Sequence, residues 1–212
     1  MLRSWLILLV MMRLAGTSTQ SLAQPDSTAP RRGPYNVVVT AGGGLSYYAL
    51  PLGLPPALEQ ARVDRFGTPA SLRFMWHPDH RLRIGLETGW VTMYQYRGQV
   101  AGEPARVRVV DVPALIVFSM PLAWLSGTER SLTRRLSLTA GTGAYFNRSQ
   151  LNYLGSVNAT AVSLGWMLAG SYSQPIGRRW RLAAEAKWYD AVSVQNAVFA
   201  AELQVSWRAF TW

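Results

Sequence analysis

Between Leu82 and Tyr96 the chain alternates without a break. Leu82, Ile84, Leu86, Thr88, Trp90, Thr92, Tyr94 and Tyr96 fall on one side, and Arg83, Gly85, Glu87, Gly89, Val91, Met93 and Gln95 on the other. A period of two is that of a β-strand. A soluble half-buried strand hides its apolar face and shows a polar one to water. Here the second face mixes glycines with isolated charges, which suits a crowded interior better than a surface. The segment also exceeds the roughly 9–11 residues that a tilted transmembrane strand needs.

The pattern recurs in seven further segments, over Tyr35 to Tyr47, Ala70 to Trp76, Val107 to Leu122, Leu136 to Phe146, Val162 to Tyr172, Leu182 to Tyr189 and Phe199 to Arg208. The sequence therefore predicts an all-β fold, an eight-stranded antiparallel transmembrane β-barrel. The connections alternate in kind. Ala49 to Gly67, Arg97 to Arg106 and Arg148 to Thr160 read as polar or proline-rich loops, whereas His77 to Arg81 and Gln174 to Arg179 read as tight turns. Long loops at one end and short turns at the other, with an even strand number, are the asymmetry of outer-membrane barrels, and they bring both termini to the periplasmic side. The connection Ala123 to Arg135 is longer than this rule prefers and has room for a short helix.

Two strands carry irregularities. The run Gly42-Gly43-Gly44 lies inside a strand pattern with no Lys-Ser/Thr after it, so it reads as space for neighbouring side chains and not as a phosphate loop. Pro113 removes a ladder donor, so a bulge or a skipped hydrogen bond is expected beside it. The uncharged stretch Val112 to Gly127 is too short for a membrane helix, and Pro113 and Pro121 would break one.

Aromatic residues sort by strand end: Tyr47, Tyr48, Tyr94, Tyr96, Tyr145, Phe146, Trp188 and Tyr189 at one end, Trp76, Trp124, Trp180, Trp207 and Trp212 at the other. Two interfacial girdles are the expected reason.

Composition narrows the setting. Arg3, the apolar run Trp5 to Met12 and Ser21-Leu22-Ala23 before Gln24 make a secretory signal over residues 1–23, the run being shorter than the roughly 20 residues of a membrane anchor. A proline-rich periplasmic lead-in follows over 24–34, then the barrel domain over 35–212. With no cysteine in the chain there is no disulfide framework, and stability has to come from a closed hydrogen-bonded structure. Basic residues number 21 against 11 acidic, and loss of Arg3 and Arg13 with the signal leaves 19 against 11, an excess of +8. All but Lys187 are arginines. They are scattered through β-like segments and not clustered on one element, which argues against nucleic acid as a partner.

From Tyr35 to its end the chain resembles the small outer-membrane β-barrel domain family, the PorT-like group in particular. The resemblance is carried by the strands Asp111-Val112-Pro113-Ala114-Leu115 and Leu138-Thr139-Ala140-Gly141-Thr142-Gly143, and by a last strand ending in an aromatic residue. It implies fold and location, not a defined activity. Phe210 and Trp212 lie opposite in phase to Phe199 through Trp207, which a bulge near Arg208-Ala209 would reconcile.

Candidate chemistry is sparse. His77 and His80 are the two histidines, and both fall at a turn on the periplasmic side, away from the leaflet where lipid-modifying barrel enzymes act. His-Pro-Asp-His at a turn is a weak metal site, because two such rings rarely converge without further ligands. No catalytic, cofactor or metal residue is assigned. Asn147-Arg148-Ser149 and Asn158-Ala159-Thr160 match the glycosylation pattern by chance in a bacterial setting. The inward phase is more informative: Arg73, Arg83, Lys187 and Arg208 face Glu87, Asp111, Glu185 and Glu202. An eight-stranded barrel is just wide enough for side chains to fill, and buried charges are costly unless paired. The expectation is an ion-paired plug in a non-enzymatic outer-membrane protein. Such a protein would have a structural or surface-interaction role through its loops, with membrane lipid, lipopolysaccharide, the outer-membrane assembly machinery and an extracellular ligand as partners. A narrow solute pore and a soluble lipocalin-like binder are the alternatives.

Overall fold

The alternating segments form strands in the computed structural model, which describes residues 35–50, 59–77, 82–122, 135–191 and 196–211. In chain order they are β1 (Asn36–Tyr48), β2 (Glu59–Asp64), β3 (Phe66–Gly67), β4 (Ala70–His77), β5 (Arg83–Val100), β6 (Glu103–Pro121), β7 (Leu136–Asn152), β8 (Ser156–Pro175), β9 (Trp180–Ala191) and β10 (Asn196–Thr211). Eight of these close a ring in the order β1, β4, β5, β6, β7, β8, β9, β10 and back to β1. Every neighbour is antiparallel. Closure pairs the backbone of both would-be edge strands, which a sheet crossing lipid requires. The short β2 and β3 add to this ring at the Tyr48 end, β2 against β5 and β3 against β1.

The strand phase turns the apolar side outward. Leu45, Leu86, Ile116, Leu164, Leu168 and Leu203 are exposed on the outer wall, Leu164 by 70%. A lipocalin-like binder would carry that face inward. Inside lie Glu87, Leu115, Val117, Met167, Glu185, Lys187 and Glu202, all buried. Gly42 shows how tight this interior is: a Cβ there would meet Gln204 Cγ at 2.5 Å and Glu202 Oε2 at 3.2 Å.

Several local expectations are revised. Arg97 to Arg106 and Arg148 to Thr160 are not irregular loops, because the strands run on through them. β5 and β6 pair up to Val100 opposite Glu103. The two-residue turn between them, Ala101-Gly102, has φ of 50° and 82°, the positive pair that a tight hairpin of matching twist needs. β7 and β8 likewise pair up to Asn152 opposite Ser156. Part of the Ala49 to Gly67 connection is strand as well. Asp64 Oδ1 accepts from Phe66 N at 3.0 Å across the corner between β2 and β3.

A bulge in β5 changes the aromatic reading. Thr92 faces Val110 but Tyr94 faces Val109, so Met93 is the extra residue and the phase inverts beyond it. Tyr94 and Tyr96 therefore turn inward to join Tyr48, and they leave the outer girdle. Tyr145 and Tyr189 are also interior, with centroids 6.5 Å apart. Outward at this end stand Tyr47, Trp90, Phe146, Trp166 and Phe199, with Trp188 half-buried. At the other end Trp180 stacks on Trp207 at 6.2 Å and Trp76 on Tyr35 at 6.5 Å.

Beside Pro113 the β5–β6 ladder lapses between Thr88 opposite Ala114 and Val91 opposite Asp111, with no change of register. In the last strand Val37 faces Phe210 and Val38 faces Arg208, so Ala209 is bulged out and the two phases are reconciled. Residues 1–23 and 24–34, most of the Ala123 to Arg135 connection, His80 and Trp212 lie outside the described residues.

Candidate functional site: a buried charge network across the lumen

Alternation aims one residue in two at the barrel axis, and four strands converge their polar ones at a common height. Arg73 on β4 stands directly opposite Glu87 on β5. Its Nε donates to Glu87 Oε2 at 2.5 Å, while its Nη1 and Nη2 donate to Glu185 on β9 at 3.0 and 2.7 Å. One guanidinium thus spans the lumen and clamps two carboxylates, a geometry suited to its rigid fork of donors.

Lys187, the one lysine of the chain, completes the layer. Its Nζ lies 2.9 Å from Glu87 Oε1, 3.3 Å from Glu185 Oε1 and 2.9 Å from Glu202 Oε2. The residue is 1% exposed. Two cations serve three carboxylates, and neutral donors add to them, although Glu202 Oε1 stays buried without a hydrogen-bond partner among the described residues. Ser71 Oγ donates to Glu202 Oε2 at 2.5 Å, and Tyr189 Oη to Glu87 Oε1 at 3.1 Å. Gln204 Nε2 reaches both Glu185 and Glu202, at 3.1 and 3.3 Å. Sequence reasoning did not single out Ser71 or Gln204, and it assigned Tyr189 to an aromatic girdle and not to this layer. Each lies two residues from a charged member on its own strand, so the same phase that selected Arg73, Lys187 and Glu202 contains them.

Three other inward-phase charges stand apart from this layer. Arg83 and Arg208 lie toward the short-turn end, where with Arg181 they bear electrostatically on His77. No acidic partner for them occurs among the described residues, so each is a neighbour of Arg181 and not a member of the ion-paired layer. Asp111 lies on the other side of the layer, toward the long hairpins. Among the described residues no group of His, Asp and Glu could hold a metal ion.

Outside the ring, the extended hairpins carry a different charge pattern. Arg62 on β2 faces Arg97 on β5, and Arg97 faces Arg106 on β6, three arginines side by side across three strands. All are exposed, with Arg108 and Arg148 nearby on the same outer face. Arg106 Nη2 donates to Gln95 Oε1 at 2.9 Å.

The closed ring with an apolar outer wall and a charged, filled interior defines a small membrane β-barrel of the outer-membrane type. A solved structure agrees on the fold. Ail, the attachment invasion locus protein of Yersinia pestis, solved with the heparin analogue sucrose octasulfate, superposes with a TM-score of 0.51 at 9% identity, over 82% of this chain and 99% of Ail. Neisserial surface protein A gives 0.45 at 12% identity, over 84% of this chain and 99% of that one. OprG of Pseudomonas aeruginosa gives 0.43 at 11%, over 84% and 98%. No family model and no curated protein matches the sequence, so the resemblance to the PorT-like group rests on the strand motifs alone.

Proposed function

We propose that this protein is a non-enzymatic outer-membrane β-barrel with a sealed lumen, acting at the cell surface through its extended hairpins. The observation that carries this reading is the layer formed by Arg73, Lys187, Glu87, Glu185 and Glu202. It crosses the barrel with side chains at hydrogen-bond distance and leaves the polar path of a pore occupied by protein. The charge distribution supports a surface role. Cations inside the layer are all paired, whereas Arg62, Arg97 and Arg106 point outward just beyond the apolar belt. Like charges directly opposite one another cost stability, and phosphate groups of lipopolysaccharide are bidentate partners that offset this cost. Both termini are then periplasmic, and the hairpins β5–β6 and β7–β8 face outward.

Planar-bilayer recording tests the seal. The wild-type protein is expected to give no steady current, and sustained ion conductance through it would favour the solute pore instead.

A further inference from the structure

Above the charge layer, toward the long hairpins, Asp111 is 1% exposed. No hydrogen bond of good geometry reaches either carboxylate oxygen among the described residues, and the side chain of Asn147 on β7 is its polar neighbour. It projects inward between Val91 on β5 and Asn147 on β7. The hydroxyl of Ser163, which stands opposite Tyr145, is likewise buried and without a partner. An isolated buried carboxylate costs several kcal/mol unless a proton neutralises it or a cation accompanies it, and no described residue supplies the cation.

Aromatic rings lie near this carboxyl group, Tyr94 standing opposite Val109, two residues along β6 from Asp111. Tyr48 and Tyr94 are 4.9 Å apart by centroids and Tyr94 and Tyr96 5.1 Å. The charge of Asp111 bears on Tyr48, Tyr94 and Tyr145. The Met93 bulge is what places two of these rings inside. Without it Tyr94 and Tyr96 would face lipid, and bulges of this kind re-aim side chains at functional sites. Arg65 approaches Tyr48 and Tyr96 and does not pair with Asp111.

We propose that Asp111 and the rings of Tyr48, Tyr94 and Tyr96 form a binding site for a small organic cation of the ammonium type, entered from the long-hairpin end. Electron-rich ring faces attract such a cation, and a desolvated carboxylate supplies the counter-charge. A divalent metal ion is a poor fit, since it takes six or more oxygen ligands and the site offers one carboxylate. Tyr145 and Tyr189 and the charge layer close the floor, so the site is a dead-end receptor and not part of a conduction path. It stands independently of the sealed-barrel reading, which survives if the site fails.

Saturation-transfer NMR on the folded protein in maltoside micelles, with tetramethylammonium as probe and tert-butanol as its uncharged counterpart, tests the site. Saturable binding at millimolar probe is expected, weakened about tenfold by Asp111→Asn and several-fold by Tyr94→Leu, with no competition from tert-butanol. β-sheet circular dichroism identifies folded variants, and Tyr94→Leu carries the comparison if Asp111→Asn does not fold. Absence of saturable binding to the wild type, equal binding by the folded variants, or competition by tert-butanol would overturn the proposal.

Discussion

Glu185 and Glu202 stand directly opposite each other in the β9–β10 ladder, two buried carboxylates at the closest cross-strand position. Such a pair is destabilising by itself. Lys187 Nζ and Gln204 Nε2 each reach both of them, so these two side chains turn a repulsion into a link between strands.

Lys187 is accordingly the residue whose loss should cost most. Lys187→Met leaves three carboxylates around Arg73 alone, and a loss of roughly 3–5 kcal/mol is expected from urea unfolding in detergent micelles. Glu202→Gln removes the surplus negative charge and should cost less. In the double variant Arg73 faces the two carboxylates it already clamps, and the surplus of one negative charge is the same as with all five groups present, so the combined loss should fall below the sum of the singles. Additive losses would show that the layer does not act as a unit.

Glycine spacing gives a second prediction. Gly42 faces the interior and its added Cβ would press on Gln204 and Glu202, whereas Gly43 faces outward and its nearest contact would be Pro69 O at 3.5 Å. Gly42→Val should therefore destabilise by about 1–3 kcal/mol, as overpacking of a filled interior does. Gly43→Val should be close to neutral in the same unfolding assay. Equal effects at the two positions would contradict the assigned phase.

How much of this was legible beforehand follows from the period of two. Once a strand's phase is known, every inward residue is known, so Arg73, Glu87, Glu185, Lys187 and Glu202 could be picked from the sequence. What the phase does not contain is register between strands and interruptions within them. The pairing of Glu185 with Glu202 depends on register. Tyr94 and Tyr96 changed sides because one extra residue, Met93, entered β5, and no proline or glycine marks the place. The same limit explains Arg83 and Arg208: their phase is inward, but their height on the strand, toward the short turns, keeps them out of the acidic layer. The hairpins resemble loops in sequence because Arg97, Arg106 and Arg148 are charged on the outer face, as strands beyond an apolar belt can be.

Depth along the outer wall should matter more than exposure. Ile116 is 51% exposed within the belt, and Val157 is 63% exposed on the β7–β8 hairpin. Ile116→Arg should cost about 2–4 kcal/mol when the protein is unfolded from lipid, while Val157→Arg should change stability by about 1 kcal/mol or less. Similar costs at both positions would mean that the belt does not face lipid.

Orientation is tested on whole cells. The connection between β1 and β4 lies at the same end as the β5–β6 hairpin, because β2 pairs with Glu59 opposite Gln99 and Asp64 opposite Gln95. The turn between β8 and β9 lies at the other end, closed by Ile176 N donating to Trp180 O at 3.1 Å. Barrels of this type put long connections outside and short turns in the periplasm. An epitope inserted at Pro55-Pro56 should therefore be reached by antibody on intact cells, and one inserted after Gly177 only after permeabilisation. Labelling of the Gly177 insertion alone would invert the barrel, and with it the side from which the Asp111 site is entered.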